Sequence, residues 1–230
     1  MYCSGGQKER AKAMHRLIRR VFIWVFIFVG ITGCSSIPGL VSNASSAKNL
    51  LFQDDFSDPG SGWHIARNGD LVIDYDNGSF LFQLNQAYSD FWSLPGLMVS
   101  DVQVEVDAIR MDGSEDNDLG IICRYQDQNN FYGLIISSDG YYGISKMENG
   151  EHKIIGAEGM QYSDNIHRGT EMNHIQANCV GSTLTLMVNG EKLIEVQDSD
   201  FVAGDTGLTV GTFSEPQVKV QFDNFIVKKP

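Results

Sequence analysis

The residues best suited to chemistry lie on one predicted strand, residues 102–110, whose sequence is VQVEVDAIR. Apolar and polar side chains alternate along this segment, which indicates a strand with one buried and one solvated face. Gln103, Glu105 and Asp107 therefore share the polar face. Carboxylate and amide groups on one sheet face can bind the hydroxyl groups of a sugar or take part in acid–base chemistry. The alternative is an ordinary solvated sheet face.

Aromatic and basic residues on neighbouring strands could widen this surface. If Arg124, Tyr132 and Tyr142 join the polar row, they form a shallow platform on which ring faces stack against sugars while polar groups bind hydroxyls. Trp92 could add to the platform from an earlier strand. The pattern leaves the choice of face open, because both rows of these strands carry aromatic side chains. The other interpretation is that the aromatic residues only cover the sheet.

Other common chemistries are not indicated by the sequence. His64, His152, His167 and His174 are scattered over different predicted elements, without the Ser-His-Asp order of a hydrolase triad. No GxxxxGK[ST] loop occurs, so a nucleotide is not expected as a ligand. The chain has a net charge of −12 at pH 7, and no basic patch occurs after the predicted N-terminal segment 1–33, which argues against a nucleic-acid partner.

The elements that must position these residues are β-strands. Asn-Gly or Asp-Gly pairs, which suit tight hairpin turns, separate the alternating runs at positions 68, 77, 139, 149 and 189. No segment after Cys34 shows helical periodicity over about ten residues. About a dozen or more strands in one domain must form two stacked sheets, because a single sheet that wide would expose long edges. The sequence therefore predicts one all-β, antiparallel domain over residues 49–230.

The N-terminal residues 1–33 predict a secretory signal peptide outside the fold. Basic residues precede the apolar run VFIWVFIFVGI at 21–31, and small residues follow it. The run is about half of the roughly 20 residues that a membrane-spanning helix needs, which favours a signal peptide over the alternative of an anchor helix. The sequence Ile-Thr-Gly-Cys at 31–34 resembles the lipobox of bacterial lipoproteins. That resemblance implies a lipid on Cys34, whereas the alternative is an unmodified cysteine near the cleavage site.

Export and a lipid would decide the location of the domain. Residues 34–48 are rich in Ser, Asn and Ala and predict a flexible tether between Cys34 and the fold. We therefore expect an exported lipoprotein, anchored on the outer side of the cytoplasmic membrane or at the cell surface, with the membrane as a partner. In an oxidising compartment Cys123 and Cys179, both on the apolar side of predicted strands, are expected to form a disulfide. Two buried free thiols are the alternative.

Several segments together resemble the concanavalin A-like lectin/glucanase superfamily, near its laminin-G-like and 3-keto-disaccharide hydrolase-like members. They are DDFSD at 54–58, GW at 62–63, GIICRYQDQNNFYGLIISSDGYYGI at 120–144, VNG at 188–190, GL at 207–208 and FDNF at 222–225. The resemblance implies a jelly-roll sandwich with a convex and a concave sheet, and ligands in the superfamily often lie across the concave one. It hosts enzymes, lectins and spacers, so the resemblance alone does not decide function.

The resemblance also bears on catalysis. Laminarinase-type members carry Glu-x-Asp-x-(x)-Glu on one strand, with the first Glu as nucleophile and the last as acid/base. Here Glu105 and Asp107 match the first two places, whereas Arg110 stands in the last. A guanidinium cannot donate a proton at neutral pH, so that mechanism is not available. We therefore expect a non-catalytic carbohydrate-binding or adhesion module. The alternatives are a glycoside-processing enzyme of the 3-keto-disaccharide hydrolase type and an inert extracytoplasmic spacer.

One cofactor is considered, a structural calcium ion. Asp54 and Asp55 near the start of the domain and Asp223 near its end lie where the terminal strands of such sandwiches often pair. Carboxylates and turn carbonyls gathered there could bind Ca²⁺, which takes six to eight oxygen ligands. The acidic turn at 114–118, SEDND, is a second candidate. Solvated acidic loops are the alternative at both places.

Overall fold

The computed structural model describes residues 49–230. The predicted signal peptide (1–33), the predicted lipidation site Cys34 and the predicted tether (34–48) lie outside these described residues. Within the described range, no helix has the length and apolar character needed to cross a membrane.

Residues 49–230 form sixteen strands in two antiparallel sheets, which confirms the predicted all-β fold. The nine-stranded sheet contains β1 (Leu50–Asp54), β2 (Ala66–Arg67), β3 (Leu71–Asp76), β4 (Ser79–Leu84), β6 (Val102–Gly113), β12 (Asn173–Val180), β13 (Thr183–Val188), β14 (Glu191–Gln197) and β16 (Val218–Lys228). The seven-stranded sheet contains β5 (Ser89–Ser93), β7 (Asn117–Asp127), β8 (Asn130–Ile136), β9 (Tyr141–Glu148), β10 (Glu151–Ile155), β11 (Gln161–Tyr162) and β15 (Asp205–Thr212). The two-residue strands β2 and β11 were not predicted.

The order of the strands is that of a jelly roll, in which the chain crosses repeatedly between sheets. The first sheet has the order β14-β13-β12-β6-β16-β4-β3-β2, and β1 also pairs with β16. The second has the order β10-β9-β8-β7-β15-β5, and β11 pairs with β9. Strands β7 to β10 form a meander of consecutive hairpins, and β15 and β5 complete that sheet from distant parts of the chain.

Sequence alternation produces the core between the sheets. Val102, Val104 and Val106 of β6 are almost completely buried, as the period of two predicted. From the other sheet, Leu208 and Val210 of β15 join the same apolar cluster. Three predicted hairpin turns, at 77–78, 149–150 and 189–190, have positive φ at both Asn and Gly, the conformation for which this pair is suited.

A disulfide links the two sheets. Cys123 on β7 bonds to Cys179 on β12, which confirms the predicted pair. Both cysteines are completely buried in the core. The bridge closes a loop with a sequence separation of 56 residues, so in the chain-entropy model it restricts the unfolded chain substantially.

Candidate functional site

The predicted polar row lies on the outer face of the nine-stranded sheet. Its carboxylates are already occupied by neighbouring side chains. Lys228 Nζ lies 3.0 Å from Glu105 Oε2, while Asp107 accepts a hydrogen bond of 2.9 Å from Asn224 Nδ2 and contacts His174 Nδ1 at 2.7 Å. Gln103 donates to Glu105 as well. Gln103, Glu105 and Asp107, together with the side chains bonded to them, thus form a polar ladder of mutually bonded groups on a solvated sheet face.

Arg124, Tyr132 and Tyr142 do not join that row. They belong to the seven-stranded sheet, and their side chains are 1%, 0% and 8% exposed. Arg124 has a positive φ of 54° at an irregularity in the β7–β8 pairing, and its Nη1 donates to the carbonyl of Phe201 at 2.9 Å. The expected platform of these three residues with the polar row is therefore corrected: they are held inside the sandwich, where a surface ligand cannot stack on them.

Tyr132 takes part in a charged cluster that fixes the loop after β14. Its hydroxyl donates to Asp198 and accepts a hydrogen bond of 3.1 Å from the Phe201 amide. Burial raises the pKa of Tyr132 to about 12, with a further contribution from Asp198. Burial would lower the pKa of Lys146, but hydrogen bonds to Asp200 and Asp198 raise it. Tyr132 on β8 and Lys146 on β9 are thus bonded to Asp198 and Asp200 of the loop, so the cluster ties the loop to the sheet.

The predicted calcium residues lie near the pairing of β1 with β16, as expected for the terminal strands. Asp54 is committed to its own loop, since it accepts hydrogen bonds from the Phe56 amide at 2.8 Å and from Trp63 Nε1 at 2.9 Å. Asp55 is bonded to the Ser57 hydroxyl and amide, which lowers the pKa of Asp55. Partial burial raises the pKa of Asp223, with Asp107 and Asp55 nearby.

No group of three or more His, Cys, Asp or Glu side chains within 49–230 is arranged to hold a metal. In the second acidic turn, Glu115 forms a salt bridge with Arg110 Nη2 at 3.0 Å, and Asp118 already belongs to strand β7. Calcium binding at either place stays a prediction.

The outer face of the seven-stranded sheet carries a different set of residues. Trp92, on β5, is the member of the predicted ligand-binding set that lies there. Strand register fixes its neighbours: Trp92 pairs with Thr209 of β15, while Asp90 pairs with Gly211, which pairs in turn with Asp118 of β7. Since Leu208 and Val210 point into the core, the residues that alternate with them point outward.

This outer face is recessed. Ile122, Phe131 and Ile135 lie outside the main core cluster, yet they are only 0%, 7% and 3% exposed. One small cavity is lined from both edges of the sheet, by Asp90 and Trp92 of β5 and by His152 of β10. These edge strands have four other strands between them, so they can share a cavity only if the sheet curves towards that face. This is therefore the concave side.

Glycines make the recess. A Cβ atom at Gly211 would lie 2.5 Å from Asp118 Oδ1 and still closer to Asp90 Oδ1. A Cβ atom at Gly133 would lie 2.5 Å from Ser145 Oγ. Contacts this short mean that the facing side chains would have to move if a larger residue stood at either position. The two carboxylates converge over the bare backbone of Gly211.

The convergence of the two carboxylates controls their protonation. Asp118 is 8% exposed, and burial together with the nearby Asp90 raises its pKa to about 7, against a hydrogen bond from the Gly211 amide. Desolvation also raises the pKa of Asp90, which lies at the rim, while His152 lowers it. The cavity between them has a volume of only ≈ 20 Å³, about enough for one water molecule.

An open groove adjoins this cavity and shares Trp92 with it. The groove has a volume of ≈ 340 Å³ and is lined by His64, Trp92, Leu94, Gly96, Tyr125 and Asp205. The ring centroids of Trp92 and Tyr125 lie 6.0 Å apart, and each side chain is partly exposed. The ring of Phe131 packs against both, with centroid distances of 5.3 Å to Trp92 and 5.6 Å to Tyr125. The rings are thus held rigidly at the wall of the groove.

Asp205 positions the loop that forms the other wall. Its carboxylate accepts hydrogen bonds from the amides of Gly96, Leu97 and Thr206 at 2.9, 2.7 and 2.8 Å. Desolvation raises its pKa despite these bonds. Sequence reasoning missed Asp90, Tyr125 and His152 as site residues and considered Asp118 only as part of an acidic turn. The cause is that the pairing of strands distant in sequence, β5 with β15 and β15 with β7, and the curvature of the sheet bring these residues to one face.

No protein-family model matches the chain, and no curated protein matches its sequence. Solved structures do match. A carbohydrate-binding module, CBM66, from Bacillus subtilis is 20% identical with a TM-score of 0.57, over 73% of this chain and 96% of that one. A protein of unknown function with a galectin-like fold, also from Bacillus subtilis, is 13% identical with a TM-score of 0.57, over 79% and 96%. The GH43 protein BlXynB of Bacillus licheniformis is 13% identical with a TM-score of 0.55, over 77% of this chain and 39% of that one.

These similarities show the fold. Together with the strand order, they show that residues 49–230 form an antiparallel, two-sheet jelly-roll sandwich, similar to the galectin-like fold.

The raised pKa of Asp118 predicts a specific pH dependence of stability. The folded state holds the proton up to about pH 7, whereas the ordinary pKa is 3.8. Below the ordinary pKa, Asp118 is protonated in both the folded and the unfolded state, so its ionisation does not change the stability. Between that pKa and about pH 7 it destabilises the fold increasingly, reaching roughly 2–4 kcal/mol at pH 8. Asp118→Asn should remove this decline and unfold at higher urea concentration than the wild type at pH 8.

Urea unfolding at pH 4 and pH 8 checks the prediction. Asp116→Asn, at an exposed position two residues away, is the control and should follow the wild type. An unchanged pH profile in Asp118→Asn would contradict the assignment.

Proposed function

We propose that this domain is a non-catalytic carbohydrate-binding module, and that it binds its glycan in the groove beside Trp92 and Tyr125. The observation that carries the proposal is the pair of fixed, partly exposed rings 6.0 Å apart at the wall of a ≈ 340 Å³ groove. Aromatic faces bind the apolar C–H surface of a sugar ring, and a few polar groups fix its orientation. His64 at the groove supplies such a polar group.

The size and rigidity of the groove fit this function. Ligand sites are clefts of about 300–1,000 Å³ with mostly apolar walls and few polar groups. Leu94 and the two rings supply the apolar wall, and the Asp205 carboxylate holds the facing loop in place. Because the rings are already packed against Phe131, little side-chain freedom is lost on binding. The solved structures named as a carbohydrate-binding module and as a GH43 protein support the same proposal.

A second candidate is glycoside hydrolysis of the 3-keto-disaccharide hydrolase type. The observation in its favour is Asp118, a carboxyl group that stays protonated to about pH 7 beside a second carboxyl group, Asp90. Against it, both carboxylate oxygens converge over Gly211, whereas a retaining glycosidase separates its carboxyl groups by about 5–5.5 Å and an inverting one by more. The ≈ 20 Å³ cavity also has no room for a sugar ring next to Asp118. Binding is therefore the first proposal.

We also propose that the domain is displayed outside the cytoplasm on a lipid attached to Cys34, as the lipobox-like sequence implies. Two or more acyl chains would anchor it stably to a membrane. The full chain expressed in a bacterium should incorporate labelled palmitate and sediment with membranes, whereas Cys34→Ser should do neither. Equal labelling of both proteins would contradict the anchor.

Loss of Trp92 tests the binding site. A glycan array first identifies a ligand, and calorimetry then measures its affinity. Trp92→Ala should weaken that affinity at least about tenfold, because the stacking surface is lost, while Trp92→Phe should retain part of it. Tyr88→Ala is the matched control, since Tyr88 is 78% exposed and lines neither the groove nor the small cavity.

The outcomes separate the candidate functions. Equal affinity of Trp92→Ala and the wild type would place the site elsewhere. Binding to no glycan on the array would leave the spacer as the function, and release of reducing sugars from a bound glycan would establish the enzyme.

A further inference from the structure

We propose that the small cavity beside the groove binds the ammonium group of an amino sugar, so that the preferred glycan carries free amines. This proposal rests on the proposed carbohydrate binding and specifies the class of ligand as glycans with free amines. It starts from the convergence of Asp90 and Asp118 over Gly211, on the concave face of the seven-stranded sheet.

Neither carboxylate has a lysine or arginine partner in the described part of the chain. Within 49–230, neither Asp90 nor Asp118 forms a salt bridge with a lysine or arginine. Asp118 is more than nine-tenths buried, lines the cavity, and receives no hydrogen bond from another side chain in the described part of the protein. A buried carboxylate is normally paired or bonded. Within 49–230, Asp118 has a hydrogen bond from the Gly211 amide but no lysine or arginine partner, and it lines the cavity.

The charged groups around the cavity come from three strands. Asp90 lies on β5, Asp118 on β7 and His152 on β10. His152 is the one group among them that could carry a positive charge, and it lies at the exposed edge. The raised pKa of Asp118 agrees with this arrangement, because its negative charge has too little compensation. An ammonium group would supply that charge in place of the proton.

The size and walls of the cavity fit an ammonium group. A volume of ≈ 20 Å³ accommodates about one water molecule, and an ammonium group is of similar size. The remaining wall includes the rings of Trp92 and Phe131 and the thioether of Met147. Aromatic faces attract cations through their quadrupole, with the strongest effect at tryptophan. Carboxylates and aromatic rings around one cavity therefore favour a cation over a neutral hydroxyl.

Trp92 connects this cavity to the groove. It lines both, so a sugar ring held in the groove lies beside the cavity. The net charge of −12 also attracts a polycationic chain and repels an acidic one. A glycan with repeated free amines satisfies the groove, the cavity and the overall charge together.

The experiment compares two tetrasaccharides by calorimetry at pH 7, one of glucosamine and one of N-acetylglucosamine. Acetylation removes the charge and enlarges the nitrogen substituent. The wild-type domain should bind the glucosamine tetramer roughly tenfold more tightly, the scale of a hydrogen bond to a charged group. In Asp118→Asn the ratio of the two affinities should fall to about one. Asp116→Asn, the exposed control, should keep the wild-type ratio.

Other results would overturn the inference in distinguishable ways. Equal affinity of the wild type for both tetramers would refute the ammonium pocket and leave carbohydrate binding intact. Binding of another glycan on an array, with no binding of either tetramer, would do the same. Binding of calcium chloride alone, lost in Asp118→Asn, would assign the cavity to a metal instead. No binding to any glycan would overturn the proposed function itself.

Discussion

The absence of a side chain at Gly211 is the constraint on which the concave face depends. Strand pairing places Asp90 and Asp118 on either side of this residue, and their carboxylates occupy the space that a Cβ atom would need. Like charges in a desolvated place resist ionisation together, which is why the pKa of Asp118 rises to about 7. The absence of a side chain at Gly133 deepens the same recess beside Ser145. The recess and its unusual protonation therefore share one structural cause.

The two sheets have different roles. On the nine-stranded sheet the outward polar side chains satisfy one another, as Glu105 does with Lys228 and Asp107 with His174 and Asn224. Such a ladder leaves few free groups for a ligand. On the seven-stranded sheet the polar groups lie at the bottom of a recess beside aromatic rings, which is the usual composition of a binding site. The buried core and the Cys123–Cys179 bridge hold the two sheets together behind it.

Local sequence signals were sufficient for the fold. Period-two alternation identified the strands, and Asn-Gly pairs identified hairpins. Two cysteines on the apolar faces of predicted strands identified the disulfide. The site needed long-range information. Tyr132 and Tyr142 belong to strands whose two rows both carry aromatic residues, so alternation alone could not orient them. Arg124 lies within an irregularity of the β7–β8 pairing and has a positive φ, which breaks the alternation at this residue. Asp118 was grouped with an acidic turn, but its pairing with Gly211, far along the chain, gives it its environment.

The most direct test of the account is to map the bound glycan by NMR. Amide and indole shifts of the ¹⁵N-labelled domain would be followed while a glycan that binds it is added. The account predicts that the shifts change at the Trp92 indole, Tyr125 and Gly211 on the seven-stranded sheet, and stay constant at Gln103, Glu105 and other residues of the outer nine-stranded face. Changes centred on that polar ladder, with the Trp92 indole unaffected, would contradict it.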